Sequence, residues 1–351
     1  MKRQLHLNLF IQSRGHHEAS WRHPLASPLA LTDIRYFQEL ARRAEEGLFD
    51  SIFLADTLSV WEDVERVGRT WLEPMTVLGA LAVTTQRIGL IATASTTYSE
   101  PYNLARQFSS LDHMSGGRAG WNIVTTWSAP AAKNFGGEGQ LSHDDRYARA
   151  EEYLRVAKDL WDSWADDVLV DDRESGHYAR GDRILPIEHK GDYYEVAGAL
   201  NIPRCPQGRP VLVQAGSSTT GRRFAARHAE AIFTAHMEKS TAQAFYKDLK
   251  GLVIEEGRSP DHALILPGLS PVIAGTEEEA QQIAQELNDL ADPEMGRMRL
   301  SGRFGGHDFT HLPLDKPLTT ADFPDPSTVQ AARSRTEVRE PIRQQREQLE
   351  M

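Results

Sequence analysis

The feature that most restricts what this chain can fold into is a strand-then-helix alternation repeated seven times. Short apolar segments read as strands at Leu5–Ile11, Ser51–Ala55, Ile88–Ser95, Ala119–Thr125, Pro210–Ala215, Ala231–Thr234 and Leu264–Ala274. Amphipathic segments lie between and after them, at Thr32–Glu46, Glu73–Thr84, Tyr102–Met114, Arg146–Trp164, Gly221–Ala229, Thr241–Glu256 and Thr276–Leu290. The first opens on Thr-Asp, lines up Ile34, Phe37, Leu40, Ala41 and Ala44 on one face, and stops at Gly47. Strands joined through helices pair in parallel, because parallel neighbours need a crossover connection. An open doubly wound sheet and a closed (β/α)8 barrel both satisfy that order. Nothing resembling G-x-G-x-x-G follows the first strand, which disfavours a dinucleotide-binding open sheet. The expectation is an α/β chain, a (β/α)8 TIM barrel with insertions, forming one domain over residues 1–351.

Two stretches break the rhythm. Residues 166–207 hold Asp-Asp pairs and a strand-like Gly191–Val196, and read as an inserted hairpin or lid. Residues 292–327 are rich in Gly and Pro with weak periodicity, and read as a long mobile loop near the active site. Arg333–Leu349 is charged and reads as a helix. No strand is found beyond Ala274, so the eighth strand–helix unit is missing. Either the sheet is not an eight-stranded barrel, or the chain is a truncated version of one.

Charge narrows the partners. Thirty-nine basic and 50 acidic residues leave a net charge of −11, which suits neither nucleic acid nor anionic lipid. No apolar run nears the roughly 20 residues a membrane helix needs. The single cysteine, Cys205, rules out an internal disulfide and a cysteine-cluster metal site. A cytoplasmic enzyme acting on a small molecule is the simplest reading.

Barrel chemistry gathers at the carboxyl ends of the strands. Asp56 follows the second strand, as a ligand or a cap. Thr93, in the run Ile91–Thr96, leaves room for a flat ligand. Gln214-Ala215-Gly216-Ser217-Ser218 opens a helix, where backbone N–H groups and serine hydroxyls suit a phosphate; a plain serine N-cap is the competing reading. His143 and Tyr147 are four apart ahead of a helix and face the same way if it starts that early, ready to serve one anion. The competing reading is an Asp-rich helix start that complements the helix dipole. Trp61, Trp121 and Trp127 form either an aromatic pocket or core. Thirteen histidines include no H-E-x-x-H and no His-x-His on the first strand, so no metal is expected.

Taken together, these segments resemble the bacterial luciferase-like flavin monooxygenases, in the branch of nitrilotriacetate monooxygenase, dibenzothiophene-sulfone monooxygenase and pristinamycin synthase. The likeness rests on Gly15-His16-His17 with Trp21-Arg22-His23-Pro24, Phe53–Asp56, Thr93–Thr96, Glu100-Pro101-Tyr102 and Leu104-Ala105-Arg106. It continues through Gly117–Thr125, Asn134-Phe135-Gly136, His143 with Arg146-Tyr147, and Gln214–Ser218, with Gly117–Thr125 the most specific part. The resemblance implies a (β/α)8 barrel binding reduced FMN at the strand carboxyl ends. Ser217, Ser218, His143 and Tyr147 would hold its phosphate and ribityl chain, and Asp56 and Thr93 would lie beside the isoalloxazine. His143 would also assist proton transfer, while His17, Trp61 and Trp127 would meet substrate. The implied activity uses reduced FMN and O2 to oxygenate a small organic substrate at carbon beside N or S, breaking that bond. Reduced FMN would come from a separate NAD(P)H:flavin reductase, and a homo-oligomer is implied. The alternatives are a deazaflavin-dependent oxidoreductase, a flavin-binding protein without oxygenase chemistry, and, last, a metal-dependent barrel hydrolase. Relatives continue into a final strand–helix unit that has no match here.

Overall fold

The computed structural model describes residues 5–61, 64–69, 72–126, 128–137, 139–304 and 306–325. The expected helix at 333–349 lies outside them. Two compact units divide the chain: residues 1–16, 27–61 and 69–271 in the first, and 17–26, 62–68 and 272–351 in the second.

The first unit opens with β1 (Asn8–Ile11), α1 (Ile34–Glu46), β2 (Ser51–Leu54), α2 (Pro74–Ala82), β3 (Gly89–Ser95), α3 (Pro101–Ser115), β4 (Ala119–Val124), α4 (Ala129–Asn134) and α5 (His143–Trp161). After α5, residues 166–207 fold as two short antiparallel hairpins where one was expected. They are β5 (Leu169–Asp172) with β6 (His177–Ala179), and β7 (His189–Lys190) with β8 (Glu195–Val196). The unit closes with β9 (Val211–Gln214), α6 (Thr219–His228), β10 (Ala231–Ala235), α7 (Lys239–Glu255) and β11 (Leu264–Gly268).

Seven strands pair in parallel in the order β1-β2-β3-β4-β9-β10-β11. The sheet curls. Five strand spacings separate β1 from β10, about 24 Å in a flat sheet, yet the rings of Phe10 and Phe233 lie 5.9 Å apart, centroid to centroid. Strand alternation explains the two apolar layers. One set of side chains, Phe53, Ile91, Val213, Ala231 and Leu266, packs inside the curl. The other set, including Ile52, Leu54, Leu90, Trp121, Ile123 and Leu212, packs outward against the helices. Staples at the strand amino ends hold this arrangement. The Glu45 carboxylate accepts the N–H groups of Gln86, Arg87 and Ile88, and the Arg118 guanidinium donates to the carbonyls of Ala82, Thr85, Ile88 and Ser115. Chemistry is left to the carboxyl ends.

Two boundaries differ from expectation. The seventh strand stops at Gly268, beyond which Leu269 and Ile273 are exposed and make no core face. Helix α4 was not anticipated, although Ser128 with a proline in the first turn is a capping signal.

In the second unit, α8 (Glu277–Leu290) and α9 (Pro293–Arg303) lead to a small core of Phe304, Phe309 and Phe323. The segment expected to be a structureless loop over 292–327 therefore carries a helix, capped by Asp292 and started by Pro293. Loops join it through Glu18 with Arg299, Arg66 with Asp292, and His23 with Glu286.

Candidate functional site

Because the strands are parallel, the carboxyl ends of β2, β3, β4 and β9 open at one rim, where α5 and α6 begin. Ser142 caps α5 by accepting the N–H of Asp145, so the helix starts at His143, three residues earlier than Arg146. That early start puts His143 and Tyr147 one turn apart, with ring centroids 4.9 Å from each other. Ser218 caps α6 by accepting the N–H of Gly221 at 3.1 Å. Both readings of Ser218 therefore apply, since its Oγ also lies 3.2 Å from His143 Nε2. The two helix starts meet.

Tyr147 is buried, and its hydroxyl is set among the side chains of Ser218, Thr125 and Gln214. Burial pushes the phenol's pKa up, so it stays a neutral donor. Gly221 is required here: a Cβ on it would stand 2.6 Å from Tyr147 Oη and 3.1 Å from Ser218 Oγ. Ser217 is exposed beside this group.

Deeper inside the curled sheet, Asn122 Nδ2 donates to Thr93 Oγ1 at 2.9 Å, and both residues are buried. Asn122 Oδ1 has no hydrogen-bond partner. A buried amide oxygen in that condition costs free energy unless something donates to it. Next to these residues, Thr126 holds a positive φ of 37° and donates to Ser95 Oγ at 2.7 Å. A β-branched residue in that region is strained, as residues at functional rims often are.

Asp56 is half-buried after β2. Burial pushes its carboxyl up to about 6; the Thr57 N–H, donating to Oδ1 at 2.8 Å, opposes this, and the nearby Glu73 charge adds to it. Trp61 is exposed, donating from Nε1 to Thr57 Oγ1 at 3.1 Å, with Arg69 over its ring. The loop after β2 is tied to α4, since Asn134 Nδ2 donates to the Leu58 carbonyl at 2.7 Å. His17 belongs to the second unit, where its Nδ1 accepts the Ala19 N–H. Trp127 lies outside the described residues.

Three participants carried no assignment from sequence: Asn122, Gln214 and Arg146. Gln214 is buried, with Oε1 accepting the Gly216 N–H at 2.6 Å. Arg146 is buried, donates to the Leu141 carbonyl at 2.6 Å, and has an unpartnered Nε. A signal existed for the first two, which are polar residues at the carboxyl ends of strands that otherwise read apolar. Arg146 stood in the matched segment His143 with Arg146-Tyr147 but was given no role. The arrangement offers hydroxyl, imidazole and guanidinium donors at two helix amino termini, with a spare buried acceptor, Asn122 Oδ1, on the neighbouring strand β4. Such a set can receive a ligand that has an anionic end and a group able to donate a hydrogen bond.

The family model described as luciferase-like monooxygenase matches residues 6–344. The chain is 48% identical to the N-acetyl-S-(2-succino)cysteine monooxygenase of Bacillus subtilis (strain 168), over 92% of this chain and 73% of that one. It is 42% identical to nitrilotriacetate monooxygenase component A of Aminobacter aminovorans, over 94% and 76%. Among solved structures, riboflavin lyase with modified FMN and riboflavin superposes with a TM-score of 0.83 at 34% identity, covering 96% of this chain and 76% of that one. The chain belongs to the luciferase-like monooxygenase family.

Proposed function

We propose that this protein is the oxygenase component of a two-component monooxygenase that takes reduced FMN from a separate NAD(P)H:flavin reductase and oxygenates a small molecule at carbon beside N or S. Close relatives are named as monooxygenases of N- or S-containing compounds, which favours this over a deazaflavin oxidoreductase or a flavin-binding protein without oxygenase chemistry. Seven strands curled this far also favour a (β/α)8 barrel, in which an eighth strand would lie between β11 and β1.

The observation that carries the reading is the meeting of His143, Tyr147 and Ser218 at the start of α6. It fits the phosphate of FMN, and two further facts fit the rest of the molecule. The unpartnered Asn122 Oδ1 matches a group with an N–H to donate, and Gly221 leaves open the space a Cβ would fill beside the donors.

In this reading Ser218, Tyr147 and His143 bind the phosphate, with the α6 amino terminus and the buried Arg146 charge adding field. Thr93 and Asn122 orient the ring, and Asp56 lies at its edge. Reduced flavin held there would supply the two electrons needed for one oxygen of O2 to leave as water while the other enters substrate. The apolar wall of Phe53, Ile91 and Val213 excludes water from that place. His143 Nε2, bonded to Ser218 Oγ, holds or passes a proton there. His17, Trp61 and Trp127 are the candidate substrate contacts, and two or more copies form the working assembly.

Anaerobic titration with reduced FMN tests the site. Tyr147→Phe combined with Ser218→Ala should weaken binding by about 1–3 kcal/mol, the scale of hydrogen bonds to a charged group. Unchanged affinity removes these residues from the phosphate. Activity is tested by supplying reductase, NADH and 18O2 with thioether-, amine- and polyaminocarboxylate-bearing compounds. A product carrying one labelled oxygen is expected; flavin binding without product across the panel favours the non-oxygenase alternative.

A further inference from the structure

Away from the strand carboxyl ends, a second constellation is used by nothing above. Near the end of α5, the half-buried Lys158 reaches toward the last residue of α6, and its Nζ donates to His228 Nδ1 at 3.2 Å. The other imidazole nitrogen, Nε2, donates to Glu151 Oε2 at 2.6 Å. Glu151 is also held by Arg227, at 2.8 Å. The order is amine, imidazole, carboxylate: a nucleophile against a base, and the base oriented by an acid.

The surroundings disfavour the lysine's charge. No carboxylate pairs with Lys158 directly among the described residues. Burial and the facing guanidiniums of Arg209 and Arg258 lower its pKa; Glu151 and Glu230 offset part of this. Both arginines are fixed. Arg209 is paired with Asp162, and Arg258 donates to the carbonyls of Ala226, Ala229 and His262. A structural clamp between two helices would be better served by a lysine paired with an acid than by one facing two cations.

We propose that Lys158, relayed through His228 to Glu151, is a site of acylation by an anionic acyl donor of the acyl phosphate class. The uncharged Nζ attacks the acyl carbon, an N–C bond forms, and the C–O bond to phosphate breaks. Of the two protons the ammonium gives up, one passes to His228, whose imidazolium Glu151 stabilises, and the other leaves on the phosphate. No oxidant or reductant is involved. Arg209 and Arg258 would draw the donor's phosphate toward the amine.

The chain's eight lysines supply internal controls. Incubation of the full-length protein with acetyl phosphate, followed by peptide mass spectrometry, should show Lys158 acetylated about tenfold faster than the median of the other seven. Its rate should also fall less steeply between pH 9 and pH 7 than that of an ordinary lysine, which loses about tenfold per pH unit. A neutral acetylating ester should still select Lys158, by a smaller margin, because the arginines then give no attraction. His228→Asn should bring Lys158 to the level of the other lysines. If that variant does not fold, the wild-type pH profile decides alone. A Lys158 that reacts no faster than the others, or whose rate falls with pH as theirs does, overturns the proposal.

Discussion

Asp56 shows what a single residue contributes at this rim and what it costs. Its carboxyl is pushed up to about 6 by burial, from an ordinary 3.8. The folded state therefore holds the proton more tightly than the unfolded chain does. Below about pH 4 both states are protonated and nothing is lost. As pH rises from about 4 to about 6 the unfolded chain ionises first, and stability falls by an amount that levels off above pH 6. Two pKa units correspond to roughly 3 kcal/mol at most, less with solvent near the group. Asp56→Asn should thus raise the unfolding free energy by about 1–3 kcal/mol at pH 8 and leave it unchanged at pH 4. Denaturant melts at the two pH values check this, and an equal effect at both would mean the carboxyl is not perturbed. Asp56, Thr93 and the Ser217-Ser218 turn could be singled out from sequence because each sits at or just past the carboxyl end of a recognisable strand. Asn122 was harder. A lone Asn in an apolar strand reads as tolerated, and only coordinates show that its oxygen is left without a donor.

At the scale of elements, α5 carries both the site and its support. About a turn and a half after Tyr147, the buried Glu152 carboxylate accepts His189 Nε2 at 3.0 Å and the N–H groups of Asp192, Tyr193 and Tyr194. This pins the β7–β8 hairpin to the helix. From the hairpin, Tyr194 receives Arg149 Nε at 2.6 Å and donates to the Thr96 carbonyl, just past β3. The inserted segment is thus wired to the strand that bears Thr93. Gly191 makes the clamp possible, for a Cβ there would stand 2.2 Å from Glu152 Oε1 and 2.8 Å from His189 Nε2. Gly191→Ala and Glu152→Ala should each cost about 2–4 kcal/mol, and Glu152→Gln about 1–2, since it keeps an acceptor but loses the charge. Urea melts measure all three, and a Gly191→Ala protein within about 0.5 kcal/mol of the parent would show that the hairpin gives way instead. The strand–helix alternation itself was legible, because period-2 and period-3.6 patterns are local. The clamp was not. Glu152 lies 37 to 42 positions from its partners, and in sequence it looks like any acidic residue on a charged helix.

For the whole molecule, curling and charge act together on how a phosphorylated flavin would arrive. The curled sheet gathers the donors at one rim, but the chain carries a net charge of −11. An FMN phosphate brings about −2. At about 25 Å, two such charges repel by roughly 1.5 kcal/mol in 10 mM salt and by about 0.2 kcal/mol in 150 mM, because the screening length shrinks from about 30 Å to about 8 Å. The attraction of the α6 amino terminus and Arg146 acts only within the last few ångströms, where salt screens it least. Capture of reduced FMN should therefore accelerate with ionic strength, by about three- to tenfold between those two salt concentrations, as measured by anaerobic stopped-flow. Dissociation should change little, since in the proposed site it would report short-range bonds to Ser218, Tyr147 and His143. Arg146→Met should lower affinity while keeping the same salt trend in the association rate. If association instead slows as salt is added, the basic groups at the rim steer the flavin from a distance, and the acidic remainder of the surface has no part in the encounter.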